Sequence, residues 1–166
     1  MSSQPSKPLP DNHPLKDVPA HTLSLLNRLH AESAAQEAEL DASAYKPDTV
    51  DANMRDKFIA LDQDKCHFIY QLCLATGAKT IVEAGTSYGV STIYLALAVA
   101  SNITAFGGAG RVIGTEHEPD KAAQARRHWG ECGSSVSDMI ELREGDLLET
   151  LKHDLGTVDM LLLDSK

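Results

Sequence analysis

Beyond Gly77 short aliphatic runs alternate with stretches of helical periodicity, and this alternation limits the fold more than any other feature of the chain. Strands are expected at Thr80–Glu83, Arg111–Glu116, Met139–Arg143 and Val158–Asp164, with helices at Ser91–Ser101, Asp120–Trp129 and Leu147–Leu155 between them. Such a succession closes by right-handed crossovers into a parallel sheet with helices on its faces. The expected class is therefore α/β, a Rossmann-like doubly wound parallel sheet in the strand order 3-2-1-4. In that order the first and fourth strands meet at the switch point where such sheets bind ligands. The run Met160-Leu161-Leu162-Leu163 has the composition of a strand buried on both faces.

Upstream the composition divides the chain further. Residues 1–20 carry five of the seven prolines together with Ser, Asn and Asp. That segment is expected to be a disordered or extended arm, because it offers too little apolar surface to offset the entropy of ordering. Residues 21–76 are expected to hold the N-terminal helices. The first runs from Thr22 to Leu40, with leucines at 23, 25, 26 and 29, and the linker that follows is broken at Pro47. A second helix is expected at Met54–Leu61 and a third at Asp62–Thr76, ended by Gly77 as its C′ residue. Residues 77–166 form the sheet-bearing unit. At 166 residues the chain suffices for one domain with a real core, and not for two of ordinary size.

Twenty-four acidic and 15 basic residues give a formal charge of −9, which argues against nucleic acid or an anionic membrane surface as the main partner and leaves a small molecule as the default. No apolar run approaches the roughly 20 residues needed to span a bilayer, and no signal-peptide pattern opens the chain. Cys66, Cys73 and Cys132 are odd in number and lack zinc or redox spacing, which suits a reduced, cytoplasmic setting. Cys66 and Cys73 share a helical face with Ile69 and Tyr70 and are expected in the core. No histidine spacing marks a metal site.

The segment Ile81–Ser91, IVEAGTSYGVS, is the first strand-to-helix turn of the sheet. Gly85 permits a positive φ there, and Gly89 allows a close approach at the helix start. The spacing is G-x-x-x-G, not the dinucleotide G-x-G-x-x-G, and an acid, Glu83, stands at the strand tip. A pyrophosphate on the helix N-terminus would be opposed by an ionised Glu83. S-adenosylmethionine, with a sulfonium, an ammonium and no phosphate, meets that electrostatic requirement. The alternative is that the two glycines serve only helix–strand packing and Glu83 is a solvated strand end.

The second strand ends in Glu116-His117-Glu118-Pro119. An acid at that tip can accept hydrogen bonds from both ribose hydroxyls, which is the role expected of Glu116. His117 could flank an adenine ring or be an ordinary loop histidine, while Glu118 fits a helix start ahead of Pro119. After the third strand Gly145 makes a turn, and Asp146 either caps the next helix or reaches the adenine amino group.

Together IVEAGTSYGVSTIYLA, GRVIGTEHEPDKAAQARRHW, IELREGDLLETL and VDMLLLD resemble, in order and spacing, the class I S-adenosylmethionine-dependent O-methyltransferases of the catechol and caffeoyl-CoA type with their bacterial and fungal relatives. The match runs from about Asp62 to Asp164. The resemblance implies that Glu83, Gly85, Ser87, Gly89 and Ser91, with Thr86 in the same turn, surround the methionine half of the cofactor. By the same carry-over Glu116 holds the ribose, with His117, Gly145 and Asp146 near the adenine. Asp164 takes the position of the family's first divalent-metal ligand, one oxygen of an Mg²⁺-like site beside the sulfonium. The implied reaction is methyl transfer to the hydroxyl of a small-molecule acceptor.

Family members continue past this point through a further helix and three strands that carry the other metal ligands and much of the acceptor pocket. The chain given ends at Lys166, so it reads as C-terminally truncated, with weak or absent turnover expected if the polypeptide stops there. No catalytic base is assigned. An exposed fourth strand would favour a homodimer through the sheet edge. Two other functions remain open from sequence: a non-catalytic binding or heterodimerising module, and an NAD(P)-dependent oxidoreductase with an atypical turn.

Overall fold

The computed structural model describes residues 9–39 and 57–164. Four strands, β1 (Thr80–Ala84), β2 (Arg111–Glu116), β3 (Ile140–Glu144) and β4 (Met160–Leu163), form one parallel sheet in the order β3-β2-β1-β4. This is the expected 3-2-1-4 order. Parallel pairing brings the carboxyl ends of all four strands to one edge, with Ala84 opposite Thr115 and Leu163, and Glu116 opposite Glu144.

The helices are α1 (Ala20–Ala38), α2 (Gln63–Thr76), α3 (Val90–Phe106), α4 (Pro119–Cys132), α5 (Ser134–Ser137) and α6 (Leu147–Thr150). The most apolar is α3, which lies between the sheet, α2, α4 and α5. Its residues Ile93, Tyr94, Leu95, Ala96, Ala98 and Val99 are all wholly buried, as a helix enclosed on several sides requires. Ile81 and Val112 of the sheet join that core. Gly77 ends α2 in the left-handed conformation, φ 67°, as its position predicts. Asn102 Nδ2 donates to the carbonyls of Cys73 and Ala78 at 2.9 and 2.8 Å, so the buried end of α2 keeps its hydrogen bonds. Cys66 and Cys73 are fully buried beside Ile69 and Tyr70, as expected from their shared face.

Several local expectations are corrected. Residues 9–19, expected within a disordered or extended arm, form turns in which Leu15 is 2% exposed and Val18 is buried. Two apolar side chains suffice to seat the segment, and its prolines, with φ already restricted, lower the entropy lost in doing so. Of the helix expected at Met54–Leu61, residues 57–61 are non-helical and cross in front of the sheet edge, while 54–56 fall outside the described residues along with Leu40 and Pro47. The last helix is one turn, Leu147–Thr150, and does not reach Leu155. β4 is not buried on both faces: Leu161 and Leu163 are 54% and 69% exposed. Among the described residues β4 pairs with β1 alone, and only its Met160 and Leu162 side packs on the core.

Candidate functional site

At the carboxyl edge of the sheet lies a cavity of about 620 Å³. Its floor is the β1 turn at Gly85 and Ser87, the β2 tip Thr115-Glu116-His117-Glu118, the β3 turn Gly145-Asp146 and the β4 tip Asp164. Lys57, Ile59, Ala60 and Leu61 pass across it as a strap, and Asp62 and Lys65 enter from the start of α2. The strap is tied to α1 by two bonds from its backbone, Phe58 N–H to Gln36 Oε1 at 3.0 Å and Ala60 N–H to Ser33 Oγ at 2.7 Å.

The turn itself is unusual in backbone shape. Gly85, Ser87 and Gly89 all have positive φ, at 94°, 50° and 77°. Glycine adopts such angles freely, whereas serine does so at a cost of order 1 kcal/mol or more. β2 holds the first half of the turn. Thr86 N–H donates to the Thr115 carbonyl at 2.8 Å, Gly85 N–H to Thr115 Oγ1 at 3.3 Å, and Ser87 N–H to Glu116 Oε2 at 2.7 Å. The other Glu116 oxygen accepts Glu118 N–H at 2.8 Å, and the Glu116 carbonyl accepts Gly145 N–H at 2.9 Å. Glu116 therefore joins the β1, β2 and β3 turns while still lining the cavity, and each carboxylate oxygen retains acceptor capacity.

Glu83 does not stand at the cavity as a solvated or ligand-facing strand end. It is wholly buried beneath the turn, where its carboxylate accepts Ser91 Oγ at 2.6 Å, Thr92 Oγ1 at 2.5 Å and Thr86 Oγ1 at 3.0 Å. Burial pushes its pKa up to about 7, against the opposing pull of the three hydroxyl donors, and the Asp164 charge adds to the rise. An always-ionised Glu83 facing the ligand is thus not the group that sets the charge of the site. The cavity lining sets it: Glu37, Asp62, Glu116, Glu118, Asp146 and Asp164 outnumber Lys57, Lys65 and Lys121 by six to three.

Of the residues expected from sequence, Gly85, Ser87, Glu116, His117, Gly145, Asp146 and Asp164 meet around the main cavity. Thr86 and Ser91 reach only a small adjoining recess, and both point their hydroxyls at Glu83. Gly89 serves packing: a Cβ there would lie 2.5 Å from Trp129 Nε1 and 2.9 Å from the Ala125 Cβ. Asp146 caps α6, accepting Leu148 N–H at 2.8 Å, and lines the cavity as well. Glu118 occupies the N-cap position of α4 ahead of Pro119. Sequence reading missed Thr92 and Thr115, although a second hydroxyl beside Ser91 was a usable signal. It also missed the strap and Lys65, for which no local signal exists.

A divalent cation needs several oxygen ligands around one point. Among the described residues no group of three His, Cys, Asp or Glu side chains is placed to hold one. Near Asp164, moreover, the Lys65 ammonium lies 2.6 Å from Asp62 Oδ2, and its pKa is raised first by Asp62 and to a lesser degree by Asp164. These residues do not fit an Mg²⁺ site.

Residues 82–166 match a family model described as a methyltransferase domain. The chain is 32% identical over 108 residues to a catechol O-methyltransferase of Mycobacterium tuberculosis, an overlap of 64% of this chain and 45% of that protein. It is 29% identical over 111 residues to a catechol O-methyltransferase of Niastella koreensis, an overlap of 64% and 46% respectively. The crystal structure of cofactor-bound Rv0187 from MTB superposes with a TM-score of 0.59 at 29% identity, covering 84% of this chain and 52% of that one. The chain spans about half the length of the relatives it matches.

Proposed function

We infer, from the premise that this chain belongs to the methyltransferase-domain family, that its cavity binds S-adenosylmethionine and that the protein transfers the methyl group to a hydroxyl of a small molecule. The observation that carries this reading is the acid-rich cavity at the carboxyl ends of the strands, closed on one side by the strained Gly85–Gly89 turn. A ligand with a sulfonium and an ammonium gains from six carboxylates against three lysines, whereas a dinucleotide pyrophosphate loses. Glu116 has spare acceptor capacity for a pair of ribose hydroxyls, and Gly145, Asp146 and His117 line the same cavity, where they would border the base. Gly85 and Ser87 offer backbone to the methionine half, and Asp164 adds negative charge beside it.

When bound, S-adenosylmethionine would supply an electrophilic methyl group: an acceptor oxygen would bond to that carbon in line as the carbon–sulfur pair returns to sulfur, leaving a neutral thioether, and the hydroxyl proton would pass to solvent. The contribution of these residues is alignment and electrostatic selection of the cation. The apolar strap residues Ile59, Ala60 and Leu61 border the space left for an acceptor. Catechol is the first acceptor to assay, since both curated relatives carry that name.

Calorimetric titration with S-adenosylhomocysteine, with NADH as the control, tests the binding claim. Saturable binding of S-adenosylhomocysteine in the micromolar range is expected, with none for NADH. Saturable NADH binding without S-adenosylhomocysteine binding would replace the reading by the oxidoreductase one.

A further inference from the structure

The Gly85–Gly89 turn is held from a second direction by side chains that do not line the main cavity. His128 Nδ1 lies 2.9 Å from the Tyr88 carbonyl oxygen, and Trp129 Nε1 donates to the Gly89 carbonyl at 3.0 Å. Both residues belong to α4, and both are buried, at 8% and 4% exposure. A carbonyl accepts only, so this contact selects the imidazole with its proton on Nδ1. The Tyr88–Gly89 peptide is thereby pinned at both ends, since its N–H closes on the Thr86 carbonyl at 2.9 Å. The indole also occupies the space that a Cβ at Gly89 would need, so the fit of α4 against the turn is steric as well as polar.

β2 fixes the first half of the turn through Thr115 and Glu116, as described above, and α4 fixes the second half. Between these anchors sits Ser87, whose φ of 50° is unfavourable for a residue with a side chain and persists only where its surroundings impose it. A peptide plane fixed at its carbonyl has its N–H fixed in the opposite direction. Holding the Tyr88 and Gly89 carbonyls toward α4 therefore sets the orientation of the whole turn.

We propose that His128 and Trp129 are positioning residues: by holding the Tyr88 and Gly89 carbonyls they keep the Gly85–Ser87 backbone in the shape that receives the methionine half of S-adenosylmethionine. This rests on the ligand reading above. Preorganisation of this kind lowers the cost of ordering the turn on binding.

Trp129→Phe removes the N–H donor and keeps an aromatic ring; His128→Leu removes the donor, and His128→Asn restores one. Native circular dichroism at the working temperature is the entry condition for each. The loss of one such hydrogen bond is expected to raise the S-adenosylhomocysteine Kd about tenfold in Trp129→Phe and in His128→Leu, with His128→Asn close to the wild type. Hydrogen exchange of amides 86–90 should quicken about tenfold in the first two variants, with sheet amides unchanged. A lowered Tm with unchanged Kd and unchanged local exchange, or exchange that quickens evenly through the domain, would overturn the proposal and leave these residues as general packing. If the wild type binds no S-adenosylhomocysteine, the ligand reading fails, and the exchange pattern alone decides whether α4 orders the turn.

Discussion

Glu83→Gln separates the two roles that a carboxyl in the β1 turn can have. In the folded chain burial pushes the Glu83 pKa from 4.5 up to about 7. Between those values the folded protein holds a proton that the unfolded chain has released, so raising the pH through this window favours unfolding. The stabilisation attached to this group is fully present below the unfolded pKa and is lost as pH rises through the folded one. At about 1.4 kcal/mol per pKa unit the shift amounts to about 3 kcal/mol. Glutamine keeps the shape and stays neutral. Its Oε1 can accept two of the hydroxyls of Thr86, Ser91 and Thr92, and the third can rotate to accept from Nε2. Urea unfolding of both proteins from pH 5 to pH 8 reads the difference directly. The Gln variant should gain on the wild type by about 3 kcal/mol across that range, most of it by neutral pH. A difference that stays constant with pH would refute the reasoning, because it would mean that the hydroxyl donors fully offset the desolvation of the carboxylate.

Gly89→Ala forces a side chain onto a backbone with φ 77° and into the Trp129 ring, so unfolding should show a loss of about 3 kcal/mol. Glu116→Ala removes the acceptor for Ser87 N–H and Glu118 N–H together with the proposed ribose ligand, and should weaken S-adenosylhomocysteine binding at least about tenfold in a calorimetric titration. Asp146→Ala deletes the α6 cap and should cost about 1 kcal/mol in urea unfolding, with Asp146→Asn near neutral.

Much of the fold is legible in the chain because its signals are local. The aliphatic runs around Ile81, Val112, Leu142 and Leu162 alternate with helical stretches, and that rhythm alone requires a parallel sheet. Gly77, Pro119 and Asp146 mark helix ends through their own backbone or side-chain chemistry, and the structure places each at such an end. The burial of Leu15 escaped a reading based on proline content, since composition averages over a segment in which one leucine decides the outcome. β4 escaped for the opposite reason. Its leucines satisfy the pattern of an enclosed strand, but enclosure depends on what packs against it, and that is no property of the four residues.

The site divides along the same line. Sequence by itself determined which residues come to the carboxyl edge, because strand ends and the turns after them are set by periodicity: Gly85, Glu116, Gly145 and Asp164 all follow from it. Only the tertiary structure decided that Ser91 and Thr92 of α3 and Thr86 converge on the Glu83 carboxylate, and that Glu116, rather than Glu83, lines the cavity. It also brought the strap and the paired His128 and Trp129 into place, from positions far away in the chain. The physical reason is that helix rotation and sheet register are settled by packing between distant segments, and those choices turn one acidic residue into the core and another into the cavity.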